Sequence, residues 1–119
     1  MNKTKGQIEA EISEAMIKFE KEYMGRGPLE TKTYIIDDMI LIRLQGVLIK
    51  AEEQLVNTGD ASGRELIKKV RIELLEKGKK LLETVIKDIT KSDVISMHSD
   101  ISVKTGERVI IFTMNKQII

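Results

Sequence analysis

The chain has no cysteine and no tryptophan, and among its 119 residues there are one histidine, one proline, two phenylalanines and two tyrosines. Without cysteine there is no disulfide, no thiolate metal site and no cysteine nucleophile. That absence fits a reducing compartment. One histidine and no cysteine would leave a zinc site to several carboxylates, an uncommon set, so no metal and no cofactor are expected. A basic excess is missing too: 20 Lys and Arg stand against 19 Asp and Glu, for a net charge of +1. Dedicated nucleic-acid binders and anionic-membrane binders carry a strong basic surplus, so both classes are set aside. The apolar runs are a few residues long, far short of the roughly 20 that span a bilayer. The first residues, MNKTKGQIEAEI, have neither an apolar h-region nor a cleavage site. The expectation is a cytoplasmic chain with no direct membrane insertion. No GxSxG, HExxH, GxGxxG or P-loop spacing occurs, and the reading leans away from an enzyme.

What is present is a globular composition, 41% apolar and 33% charged, of a length that makes one domain over residues 1–119. A pattern occurs twice: an amphipathic helix, then a β-hairpin. The first helix is expected over residues 5–24. Ile8, Ile12, Ala15, Met16, Phe19 and Tyr23 share one face, Thr4 and Gln7 form a capping box, and Gly25 and Pro28 end it. A hairpin over 31–46 follows, turning at Asp37-Asp38, so that Ile35 faces Ile40 and Thr33 faces Ile42. A connection over 47–62 carries a short helical piece, KAEEQLV, and the loop-like NTGDASG.

The second helix is expected over 63–91, with a capping box at Ser62 and Glu65 and an apolar stripe of Leu66, Val70, Leu74, Leu81, Val85 and Ile89, widened by Ile67, Leu75, Leu82 and Ile86. Gly78 on that side either breaks the helix or permits close packing. The last hairpin, 94–114, is expected to turn at Thr105-Gly106, which places His98 opposite Thr113. Ile95, Met97, Ile101, Ile110 and Phe112 then line its apolar side. The implied fold is α+β: a two-layer sandwich of order α-β-β-α-β-β, with antiparallel hairpins on one sheet and helices on one face. Ile12, Met16, Phe19, Ile35, Ile42, Val70, Leu74, Ile110 and Phe112 should be buried between the layers.

The other side of the two hairpins is mixed. Tyr34, Ile36, Met39, Leu41, Val109 and Ile111 are too apolar to leave wholly in water, and their neighbours are too polar for ordinary core. Self-association is the natural use, as a homodimer whose interface includes Tyr34, Met39, Leu41 or Ile111. A ligand-binding alternative rests on Arg43, His98 and Asp100. An arginine there fits an anion or a carboxylate, and an imidazole two residues from a carboxylate shares its side of the strand. A hydrogen-bonded interface histidine is the plainer reading of His98. A solvated head above an aliphatic stem is the plainer reading of Arg43. In Gly25-Arg26-Gly27-Pro28, a helix stop outweighs an anion nest, because helix C-terminal carbonyls repel anions.

The runs GQIEAEISEAMIKFEKEYMGRGP, TYIIDDMILIRLQGVL, AEEQL, GRELIK and HSDIS-x-KTGERVIIF resemble a bacterial family of small domains of unknown function. The family is also labelled the MpsC domain of a Na+-translocating, membrane-potential-generating system. The resemblance covers about residues 5–114. Its sharpest pieces are MGRGP (Met24 to Pro28), HSDIS (His98 to Ser102) and TGER (Thr105 to Arg108). It implies a cytoplasmic bacterial protein that is at most an accessory partner of a membrane system, since the chain offers no segment to span one. No catalytic residue set is carried over from it. The resulting reading is a non-enzymatic interaction or accessory domain, with a small-molecule or anion sensor as the alternative.

Overall fold

A computed structural model describes residues 3–58 and 61–119. Its elements are α1 (Lys5–Tyr23), β1 (Glu30–Ile36), β2 (Met39–Gln45), α2 (Lys50–Asn57), α3 (Ala61–Lys77), α4 (Lys79–Thr90), β3 (Val94–Ser102) and β4 (Glu107–Met114). The four strands form one antiparallel sheet in the order β1-β2-β4-β3. α1 packs on β1, α3 and α4 pack on β3, and α1 meets α4, so the helices share one layer. The α+β sandwich is therefore the observed fold.

The first half follows its local sequence closely. Thr4 Oγ1 accepts from the Gln7 amide (3.1 Å), and Gln7 Oε1 accepts from the Thr4 amide (2.8 Å), closing the capping box. Ile8, Ile12, Met16 and Phe19 are buried. Gly25 takes φ +91° just past the helix, a conformation that suits a residue without Cβ. Arg26 Nη1 donates to the Leu48 carbonyl (2.6 Å), which pins the turn. Asp37-Asp38 is the hairpin loop, with Ile35 opposite Ile40 and Thr33 opposite Ile42. Asp37 has φ +54°, which aspartate tolerates better than most residues.

The second half settles one point left open and departs from expectation at three others. First, the helix over 63–91 is two helices meeting at Gly78, whose amide is shared between the carbonyls of Leu74 (3.2 Å) and Leu75 (3.1 Å). Close packing holds as well: a Cβ on Gly78 would lie 2.9 Å from Phe19 Cζ and 3.3 Å from Tyr23 Cε2. Because the stacked Phe19 and Tyr23 rings press on this glycine, Gly78 must face inward, and that sets the rotation of the whole segment.

Second, the buried stripe is therefore Ile67, Arg71, Leu75, Gly78, Leu82 and Ile86, spaced 4, 4, 3, 4 and 4. Val70 and Leu74, expected in the core, are 42% and 39% exposed, one residue off that stripe. Ser62 lies inside the first turn of α3 rather than ahead of it, and Gly59 and Asp60, within the stretch expected as a loop, lie outside the described residues. Third, the last hairpin turns over four residues, Val103 to Gly106, closed by Gly106 N to Ser102 O (2.8 Å). Gly106 has φ +73° and suits the end of a longer loop. The register slips by two, so His98 faces Ile111, not Thr113, while the residues from Ser96 to Ser102 keep their sides of the sheet. Fourth, a register irregularity between Val94 and Ser96 turns Ile95 out of the apolar row, leaving it 65% exposed.

The other expected core residues, Ile12, Met16, Phe19, Ile35, Ile42, Ile110 and Phe112, are all buried.

Candidate functional site

One face of the sheet lies under the helices. Strand alternation puts every second residue on the other face, in cross-strand rows fixed by the pairing. Ile36, Met39, Thr113 and Ser96 form one row; Tyr34, Leu41, Ile111 and His98 the next; Lys32, Arg43, Val109 and Asp100 the third. The face is thus graded. The end near the Asp37-Asp38 turn is apolar, with Tyr34, Ile36 and Met39 exposed and Leu41 and Ile111 half-buried. The opposite end is charged.

Charges at that end are paired within the chain. Arg43 donates to Glu107 Oε2 through Nη2 (2.6 Å) and Nε (3.2 Å). Gln45 fits beside them with its amide oxygen accepting from Arg43 Nη2 (3.1 Å) and its nitrogen donating to Glu30 Oε2 (3.1 Å). The opposite amide orientation would place its nitrogen 3.4 Å from Glu107, a weaker contact that leaves the oxygen facing acceptors. The Arg43 hydrogen bond holds the Glu107 carboxyl below its usual range. Asp100 turns away from His98: its Oδ1 accepts from the Ile101 amide (2.8 Å) and meets Lys68 Nζ (3.3 Å). That amide, and then Lys68, lower its pKa. His98 Nε2 lies 3.2 Å from Ser96 Oγ instead.

The three ligand-site candidates share this face but not one pocket. Val109 separates Arg43 from Asp100 in the same row, so they sit two strand spacings apart, roughly 10 Å. Each engages a different partner. Among the described residues no group of three or more His, Cys, Asp or Glu is clustered to hold a metal ion. The arrangement is a graded face with a neutralised charged end rather than a converging set of reactive groups.

A second polar locus was not singled out from the sequence. Arg71 and Arg108 are 5% and 1% exposed, and Glu20 is 1% exposed. Arg71 clamps Glu52 bidentately, with Nε to Oε2 at 2.8 Å and Nη2 on Oε1, and donates to the Val47 carbonyl (2.8 Å). Arg108 donates to the Arg71 carbonyl (3.0 Å). Burial pushes the Glu52 carboxyl up, but Arg71 and the Ile49 amide outweigh it and leave it low. For Glu20 burial prevails over Arg108 and Arg71, and its carboxyl is raised. Around Val47-Leu48 this cluster meets Arg26 of MGRGP and Gly106 of TGER, whose carbonyl accepts from Val47 N (3.1 Å). These motif pieces are joints that hold the two halves together. The signal was there in the spacing: Arg71 stands four residues from both Ile67 and Leu75, and Arg108 alternates with Ile110, Phe112 and Met114.

A model of the family described as "Na+-translocating membrane potential-generating system (MpsC)" matches residues 4–116. The chain belongs to the MpsC family. It is 45% identical over 114 residues to the "Uncharacterized protein YbcI" of Bacillus subtilis (strain 168), a match covering 96% of this chain and 90% of that protein. It is 24% identical over 109 residues to the "Uncharacterized protein YrhF" of the same organism, covering 91% of this chain and 88% of that one. No solved structure matches it significantly.

Proposed function

We propose that this MpsC domain is a non-enzymatic interaction module that pairs with a second copy through the exposed face of its sheet, and that it acts as an accessory subunit on the cytoplasmic side of a membrane system. The observation that carries the pairing is the graded face itself. Tyr34, Ile36 and Met39 remain 39%, 47% and 39% exposed beside Leu41 and Ile111, a contiguous apolar patch of the kind that marks an interface. The accessory role rests on the family description together with one property of the chain: no helix among the described residues is long and apolar enough to cross a membrane. In this reading ion movement belongs to other components, and this domain docks or regulates.

A symmetric pair burying on the order of 1,200 Å² or more in total is expected. Replacing Leu41 with arginine puts a charge in the middle of the apolar rows without touching the core. Sedimentation equilibrium should give a dimer for the natural chain and a monomer for Leu41→Arg, with unchanged far-ultraviolet circular dichroism. A natural chain that is monomeric at high micromolar concentration overturns the pairing.

A further inference from the structure

The sheet has two edge strands, β1 and β3. An edge strand presents unpaired amides and carbonyls to any strand that can lie beside it. β1 is a hazardous edge by composition, since Thr31 to Ile36 reads TKTYII, a run of strand-forming residues with one charge. Its outward amides are those of Thr31, Thr33 and Ile35, because successive N–H groups alternate in direction and the Ile35 amide is bonded away from β2. That bond goes to a side chain: Ile35 N donates to Glu9 Oε2 of α1 at 2.8 Å. One helical turn further on, Ser13 Oγ lies 2.8 Å from Thr33 Oγ1. The other edge has a matching feature. Asp100 Oδ1 takes the outward Ile101 amide at 2.8 Å, Lys68 stands on that carboxylate, and an irregularity interrupts the strand between Val94 and Ser96.

We propose that Glu9 is a guard on the β1 edge. Its carboxylate occupies the Ile35 amide and so keeps the β1 of a second copy from adding to the sheet. The surface held closed is complementary to itself. An antiparallel β1–β1 pair with its two-fold axis at Thr33 would set Thr31 opposite Ile35 and bring the outward amides of both strands into register. Closing the edges confines association to the sheet face, so the copies form a finite pair instead of an extending sheet.

The test compares Glu9→Ala with Glu9→Gln. Alanine is a strong helix former and leaves α1 intact; glutamine retains an acceptor oxygen and removes only the charge. In Glu9→Ala the Ile35 amide should exchange faster by on the order of tenfold at low concentration. With rising concentration, species larger than those of the natural chain should appear in sedimentation velocity, and the Thr33 amide should become protected in them. Glu9→Gln should stay close to the natural chain. The double variant Glu9→Ala, Leu41→Arg separates this from association through the face: edge assembly persists in it even though Leu41→Arg alone is monomeric. A Glu9→Ala chain that sediments like the natural one, or whose larger species leave the Thr33 amide unprotected, overturns the proposal.

Discussion

α1-β1-β2 and α3-α4-β3-β4 repeat one element order but fill their side of the core differently. The first half offers Ile8, Ile12, Met16 and Phe19 from its helix, with Glu20 as the one buried charge. The second half offers Ile67, Leu75, Leu82 and Ile86 interrupted by Arg71 and Gly78, and its last strand adds Arg108. Meanwhile Leu66, Val70, Leu74 and Leu81 stay exposed at 54%, 42%, 39% and 53%. Hydropathy alone would turn α3 the other way. Two tertiary constraints decide against it: Phe19 leaves no room for a Cβ at position 78, and Arg71 facing inward finds Glu52 and the Val47 carbonyl ready to take its donors. A helix whose buried arginine finds a carboxylate and a carbonyl for its donors need not bury its most apolar stripe.

The sharpest way to break this comparison is at Arg71. Arg71→Ala takes the guanidinium from the half-buried Glu52 carboxylate, which keeps only the Ile49 amide, and leaves the buried Val47 carbonyl without its Arg71 donor; it should cost roughly 3–5 kcal/mol in denaturant unfolding. Arg71→Met combined with Glu52→Gln should recover much of that, because both charges leave together. A loss under about 1 kcal/mol for Arg71→Ala would mean that the rotation of α3 is not held by this clamp.

Next in size is the pair of adjacent leucines. Leu75→Ala should cost about 2–5 kcal/mol and leave a cavity, whereas Leu74→Ala should stay within about 0.5 kcal/mol. Equal losses would restore the stripe that hydropathy favours.

The smallest effect is expected at Glu20, and it depends on pH. Its carboxyl pKa is raised by burial, with Arg108 and Arg71 opposing. A raised folded-state pKa means that its contribution is complete below the unfolded value of about 4.5 and is lost as pH rises through the higher folded value. Glu20→Gln mimics the protonated form, so it should melt a few degrees higher than the natural chain at neutral pH. The gap should close as pH falls towards 4.5. A lower melting temperature at neutral pH would show that Arg108 relies on the ionised carboxylate.

Sequence was enough where structure is local. The Thr4-Gln7 cap, the Asp37-Asp38 turn and the two-residue alternation of the strands, Ile95 in β3 excepted, depend on neighbours along the chain, and the fold class follows from them. It fell short where partners arrive from elsewhere. The rotation of α3 depends on Phe19, more than fifty residues away. The longer last hairpin keeps Gly106 at its end, where its carbonyl meets Val47. Glu9 and Asp100 point at edge amides that no periodicity of their own elements marks. The same limit applies at the candidate site: alternation put Arg43, His98 and Asp100 on one face, but their partners Glu107, Ser96 and Lys68 follow from tertiary pairing and side-chain direction.

Two apolar surfaces are therefore exposed, the sheet face and the stripe from Leu66 to Leu81. The most direct test is a concentration series of amide and methyl NMR spectra of the natural chain. Association through the sheet predicts shifts concentrated on Tyr34, Met39, Leu41, Val109 and Ile111, with Leu66, Val70, Leu74 and Leu81 unmoved. Shifts concentrated on those four helical residues, with the sheet face silent, would contradict it.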